Sequence, residues 1–239
     1  MKLYFIRHGD PDYAHDTITE RGKIEAQALV PRVAELNADA YFCSPLGRAR
    51  DTAAPSLKYL GKTAEIKDWL QEFNAPIIDP YVGGIRCPWN LAPSMWTGDA
   101  KMYDKDSWVK TDLMSTGNVE SEFKRVCDSL DALLAEYGYE RIPGGNNTYK
   151  VVRPNTKSLV FFCHMGISLV LMSHLFGISG PCMWQGFCPL PTSVSLVETE
   201  QWEKGIANFR AVYLGDVSHL YAAGIEHSMS GFAYEVLPE

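Results

Sequence analysis

Apolar runs too short for helices alternate along this chain with stretches of helical spacing. Leu3-Tyr4-Phe5-Ile6 sets four apolar or aromatic residues in succession, the pattern of a short strand buried on both faces. Thr19 predicts an N-cap for a helix from about Glu20 to Leu36, with Ile24, Ala28 and Val33 on one face. Pro31 is expected to kink or shorten it. A second strand, Ala38 to Cys43, leads into Ser44-Pro45, a serine N-cap with proline at the first helical position. The helix so started runs roughly from Pro45 to Tyr59 and stops near Gly61. Ala64 to Asp68 predicts an edge strand.

Between Ala75 and Ser115 the periodicity dissolves into Pro, Gly and aromatic residues. An irregular stretch of roughly forty residues in a compact domain predicts a lid or substrate-binding insertion. Asn118 then opens an amphipathic helix carrying Phe123, Val126, Leu130, Leu133, Leu134 and Tyr137, with Gly138 as its stop. Residues 139–157, with Pro143-Gly144-Gly145-Asn146-Asn147 at a turn, predict a hairpin insertion. Ser158 to Cys163 is another buried strand, followed by a helix from Ile167 to Phe176 that Gly177 closes. Two final strands, Ser193 to Thr199 and Asn208 to Leu214, meet across Glu203-Lys204-Gly205, and a short helix and tail follow Asp216. Strands in alternation with helices predict an α/β three-layer sandwich, a mainly parallel central sheet with helices on both faces.

The chain has 239 residues, enough for one domain, 1–239, that carries both insertions. A net charge of −7 argues against a nucleic-acid or anionic-membrane partner. The longest apolar run, Gly166 to Ile178, is broken by Ser168, Ser173 and His174 and is too short to span a bilayer. With so few apolar residues before Arg7, no signal peptide is expected. Six scattered cysteines, with no Cys-x-x-Cys pair, read as free thiols of a cytoplasmic protein and not as metal ligands.

Three predicted strand ends carry related chemistry. The first ends in Arg7-His8-Gly9, the second leads to Arg48 in the first turn of a helix, and a later one ends in His164. Ligands of open α/β sheets sit at the carboxyl ends of strands. Two guanidinium forks suit phosphate oxygens, and an imidazole can attack phosphorus. The helix after Ser44 adds free backbone N–H groups and a positive dipole end. Gly9 is expected to allow a sharp turn or the close approach of a ligand. Together these features describe a phosphoryl pocket that needs no metal or other cofactor.

The sequence resembles the histidine phosphatase superfamily, in its phosphoglycerate-mutase-like branch. The resemblance rests on Leu3 to Gly9, on Ile18-Thr19-Glu20-Arg21-Gly22 with Ala26-Gln27-Ala28, and on Ser44 to Ala53. It continues in Leu70-Gln71-Glu72, Phe162-Cys163-His164-Met165-Gly166 and Thr192-Ser193-Val194-Ser195-Leu196. It implies a phosphoglycerate-mutase-like fold and a nucleophilic His8 that becomes a phosphohistidine. Arg7, Arg48 and His164 would hold the transferring phosphoryl group, and Glu72 would be the general acid. Phe73-Asn74-Ala75-Pro76 departs from the family pattern after that Glu, so Asp10 and Asp79 stand in reserve for its role.

Mutases of this branch carry an Asn where this chain has Ala14 and a Tyr where it has Ala75, and they carry an Arg-Arg pair that is missing here. The expectation is therefore a metal-independent phosphomonoester hydrolase of histidine acid phosphatase type, acting on a small phosphorylated metabolite. A phosphoglycerate-type mutase and a catalytically weak phospho-ligand or protein-binding module remain the alternatives. Arg86, Trp89 and Trp96 in the insertion, and Ser193 near the later strand, are the expected substrate contacts.

Overall fold

A computed structural model describes residues 1–81, 83–144 and 146–232. In chain order the strands are β1 (Lys2–Arg7), β2 (Pro11–Asp12), β3 (Thr17–Ile18), β4 (Ala40–Cys43), β5 (Glu65–Ile66), β6 (Ile77–Ile78), β7 (Ile85–Arg86), β8 (Tyr139–Arg141), β9 (Thr148–Val151), β10 (Ser158–Cys163), β11 (Val194–Glu203) and β12 (Ile206–Asp216). The α-helices are α1 (Glu20–Glu35), α2 (Gly47–Leu60), α3 (Val119–Glu136), α4 (Met165–Phe176), α5 (Gly180–Gly186) and α6 (Ser218–Ala222).

Eight strands form the main sheet in the order β5-β4-β10-β1-β11-β12-β9-β8. Pairing is parallel from β5 through β4 and β10 to β1, and antiparallel from β1 onward to β8. The sheet is thus mixed. Its parallel half comes from the βα units of the chain, and hairpins supply the rest.

Side chains of β1 alternate between the two faces. Leu3 and Phe5 face one core with Phe42, Phe161 and residues of α3, α4 and α5. Tyr4 and Ile6 face the other with Val160, Phe162, Leu29 and Val33 of α1, and Ala49 and Ala53 of α2. Phe161 stacks between Phe5 and Phe42, with ring centroids 5.1 and 5.2 Å away, which fixes the mutual register of the three central strands. Burial on both faces leaves the carboxyl ends of β1, β4 and β10 as the places where polar side chains can emerge.

Several elements differ from the sequence reading. α1 runs unbroken through Pro31, and its buried face is Gly22, Glu25, Ala26, Leu29, Val30 and Val33. Ile24 is 57% exposed, because α1 turns Gly22 toward the strand end at Gly9 and Asp10. α2 begins at Gly47, not Pro45: Ser44 takes the N–H of Leu46 and holds Pro45 and Leu46 outside the helix. The stretch 75–115 holds short 3-10 turns and the small β6–β7 pair. The hairpin β8–β9 adds to the far edge of the main sheet, and Gly145 of its expected turn lies outside the described residues. The seven-residue α5 was not foreseen, since its Gly180-Pro181 start reads as a turn.

Candidate active site

His8 follows directly on β1, and its backbone N–H still donates to Cys163 of β10 at 3.0 Å. The ring is almost fully buried, at 3% exposure. Its Nδ1 lies 2.7 Å from the carbonyl of Gly9. A carbonyl can only accept, so Nδ1 carries the proton and Nε2 keeps its lone pair. Burial first, and the Arg7 and Arg48 charges after it, bring the His8 pKa from 6.5 down to about 3. A neutral imidazole with a fixed tautomer is the form that can act as a nucleophile.

Gly9 is needed for a close contact with the protein's own backbone. A Cβ there would meet the carbonyl oxygen of Gly22 at 2.9 Å, and one on Gly22 would meet that of Asp10 at 2.5 Å. The first turn of α1 therefore packs backbone to backbone against the end of β1. Thr52 of α2 closes the corner, accepting from Gly9 N–H at 2.9 Å and donating to the Arg48 carbonyl at 2.7 Å.

His164, at the end of β10, lies with its ring centroid 5.1 Å from that of His8. Its Nε2 is 2.8 Å from the Ser44 hydroxyl, while its buried Nδ1 has no hydrogen-bond partner. Burial, reinforced by His8 and both arginines, pushes its pKa well below 6.5. Arg7 is 3% exposed and donates Nη1 to the Pro189 carbonyl at 2.8 Å, leaving Nε without a partner. Arg48 also keeps a buried Nε without a partner, and its Nη1 donates to Asp16 at 2.6 Å. Unpaired buried polar atoms are costly, and here they gather around one imidazole.

The start of α2 is not open. Asp16 accepts from the Gly47 N–H at 2.7 Å with one oxygen and from Arg48 with the other. This carboxylate already occupies the helix N-terminus that the sequence reading left free for a ligand. Asp16 reaches it from a left-handed backbone conformation, φ 48°.

Glu72 follows a 3-10 turn and points back into the cluster. Its carboxylate accepts the N–H groups of Phe73 at 2.8 Å, Gly166 at 3.2 Å and Ile167 at 2.8 Å. Burial raises its pKa, against the opposing pull of those three N–H groups and of Arg7. A carboxyl held above its usual range can carry a proton to give away.

Residues 3–80 match the family model for the histidine phosphatase superfamily (branch 1). Over that third of the chain, which holds Arg7, His8, Arg48 and Glu72, the sequence is similar to the superfamily. A probable phosphatase of Schizosaccharomyces pombe is 37% identical over 67 residues, which cover 24% of this chain and 32% of that protein. The chain therefore spans about a third of the length of the curated relative it matches. Among solved structures, a phosphoserine phosphatase from Entamoeba histolytica superposes with a TM-score of 0.59 at 17% identity, over 92% of this chain and 98% of that one. A mycobacterial glucosyl-3-phosphoglycerate phosphatase gives 0.55 at 17% identity, over 90% and 98%. The α-ribazole phosphatase of Shigella flexneri gives 0.54 at 21%, over 90% and 96%. These likenesses establish the fold, which is phosphoglycerate-mutase-like.

Of the expected substrate contacts, Trp89 stands beside Glu72 and Ser193 beside Arg7. A Cβ on Gly166 would meet both the Trp89 indole nitrogen and Glu72 Oε1 at 2.7 Å. Ser193 is buried, accepts the Arg7 N–H through its carbonyl at 3.2 Å, and has a hydroxyl without a partner. Arg86 is paired with Asp79 at 2.5 Å and donates to the Asn90 carbonyl, so its charge is already neutralised. Trp96 packs on Tyr103, ring centroids 5.2 Å apart, within the insertion. The reserve acids have structural duties: Asp79 holds Arg86, and Asp10 accepts from Thr19 and Ser228.

Asp16 and Tyr13 were not foreseen. The Tyr13 ring centroid is 6.5 Å from that of His8, and the Arg48 guanidinium carbon lies 5.5 Å from the same ring. Their spacing from His8 has no motif, and the pairing partner lies 32 residues farther along the chain. Among the described residues no cluster of three or more His, Cys, Asp or Glu side chains is placed to hold a metal ion.

Proposed function

We propose that this chain is a phosphomonoester hydrolase that works through a phosphohistidine on His8, without a metal, on a small phosphorylated metabolite. The observation that carries the reading is the His8 ring, buried, neutral and locked by Gly9 with Nε2 as the free nitrogen. In the first step Nε2 attacks phosphorus as the ester P–O bond breaks, and the phosphoryl charge rests on Arg7, Arg48 and His164. The departing alkoxide takes the proton of Glu72. Water then attacks the phosphohistidine, giving a proton to Glu72, and His8 and inorganic phosphate are released.

Partnerless nitrogens of Arg7, Arg48 and His164 around the nucleophile support an anionic substrate. The test is phosphate release from a panel of small esters with chelator present, comparing the wild type with His8→Ala. Release that survives chelator and disappears in the variant is expected. A folded wild type that releases nothing, or a variant as active as wild type, would overturn the proposal.

A further inference from the structure

A cavity of about 510 Å³ lies beside the catalytic cluster. Its walls include Trp89, Leu91, Met165, Trp184, Gln185 and Phe187. No Lys, Arg, His, Asp or Glu stands among the described residues that line it. Arg86, which donates to the carbonyl of the lining residue Asn90, is already paired with Asp79.

The inner end of this cavity meets the reacting groups. Met165 places its sulfur 3.9 Å from Arg7 Nη1. Trp89 and Glu72 press on the same point above Gly166, so the indole stands beside the carboxyl group. Gly231, also in the lining, sits against the Arg7 guanidinium. Glu72 is the group placed to protonate a leaving oxygen, so whatever is attached to that oxygen extends past Trp89 into this space.

We propose that the cavity is the leaving-group subsite, and that it favours phosphate monoesters of uncharged alcohols, aromatic ones above all, over those of hydroxy acids. The inference rests on the hydrolase reading above. Two indoles and a phenyl ring offer flat apolar contact to an aromatic leaving group. A carboxylated alcohol would instead lose its hydration with no cation in the lining to replace it. The volume falls in the range of about 300–1,000 Å³ usual for small-molecule sites.

The experiment compares kcat/KM for 2-phenylethyl phosphate, glycerol 1-phosphate and 3-phosphoglycerate. All three leave as alkoxides, so differences report the pocket more than the chemistry. The phenylethyl ester should lead 3-phosphoglycerate by roughly tenfold or more, with the uncharged glycerol ester between them. Phe187→Ala should remove most of that lead, chiefly through KM. Phe187 is 43% exposed, so its truncation spares the core. Equal rates, a lead for 3-phosphoglycerate, or a lead that survives Phe187→Ala would overturn the subsite and leave the hydrolase reading standing. Release from none of the three would overturn the hydrolase reading and the subsite with it.

Discussion

Replacing His8 by glutamine should make the protein less sensitive to mild acid, although it removes the proposed nucleophile. Glutamine can still donate to the Gly9 carbonyl but cannot titrate. In the wild type the folded His8 has a pKa of about 3, against 6.5 in the unfolded chain. Between those values the unfolded chain binds a proton that the folded one does not. Stability therefore rises with pH across that window and is lost on acidification from 6.5 toward 3. From pH 7 to pH 5 His8 alone should cost about 2 kcal/mol. Buried His164 and His219 act in the same direction and remain in the variant; His219 cancels in the comparison, and His164 loses only the part of its shift that His8 supplies. Urea unfolding at the two pH values measures the effect: the loss should be smaller in His8→Gln by about 2 kcal/mol. Equal losses in the two proteins would show that His8 titrates normally, and the account of a buried neutral nucleophile would fall.

Glu72→Gln should slow hydrolysis of alkyl phosphates by about 10²–10⁴-fold. It should slow 4-nitrophenyl phosphate far less, because that leaving group needs little proton assistance, and parallel losses would count against Glu72 as the acid. Gly166→Ala puts a methyl 2.7 Å from Glu72 Oε1 and the Trp89 indole. The overpacking should cost about 1–3 kcal/mol in thermal or urea unfolding and displace the carboxyl, with a matching fall in kcat for alkyl esters. Asp16→Ala removes the carboxylate that caps α2 and holds Arg48. Stability should drop by about 1 kcal/mol, and inorganic phosphate should inhibit more strongly, because a competing negative charge leaves Arg48 and the start of α2; Asp16→Asn should recover the stability and keep the stronger inhibition.

The parts of the site that the sequence makes legible are those fixed by local rules. Arg7, His8 and His164 end apolar runs, so the strands that bury those runs must deliver them to one edge of the sheet. The order of elements was legible for the same reason. Contacts made across the fold were not. Asp16 reaches α2 from a loop, Gly231 reaches Arg7 from the far end of the chain, and Gly22 is small because of Gly9 and Asp10. Trp96 and Arg86 belong to a segment without periodicity, where the choice between a substrate and a neighbouring side chain depends on the tertiary path. There Arg86 found Asp79, and Trp96 found Tyr103. The mixed sheet has a similar cause, since hairpin strands resemble βα strands until their partners are known.

The central place of β1 also sets an order of events in synthesis. Its neighbours are β10, where Lys2 pairs with Ser158, and β11, where Lys2 pairs with Glu198. At about 5–20 residues per second, the ribosome makes β1 about 8–30 seconds before the first of these neighbours exists. Throughout that interval an apolar strand with two open edges must be kept from pairing elsewhere. His8 gains its fixed tautomer and its low proton affinity only when that wait ends. A nascent chain stalled before β10 therefore carries the sequence of the proposed nucleophile without its reactivity, and recruitment of a chaperone to such chains should depend on residues 3–6.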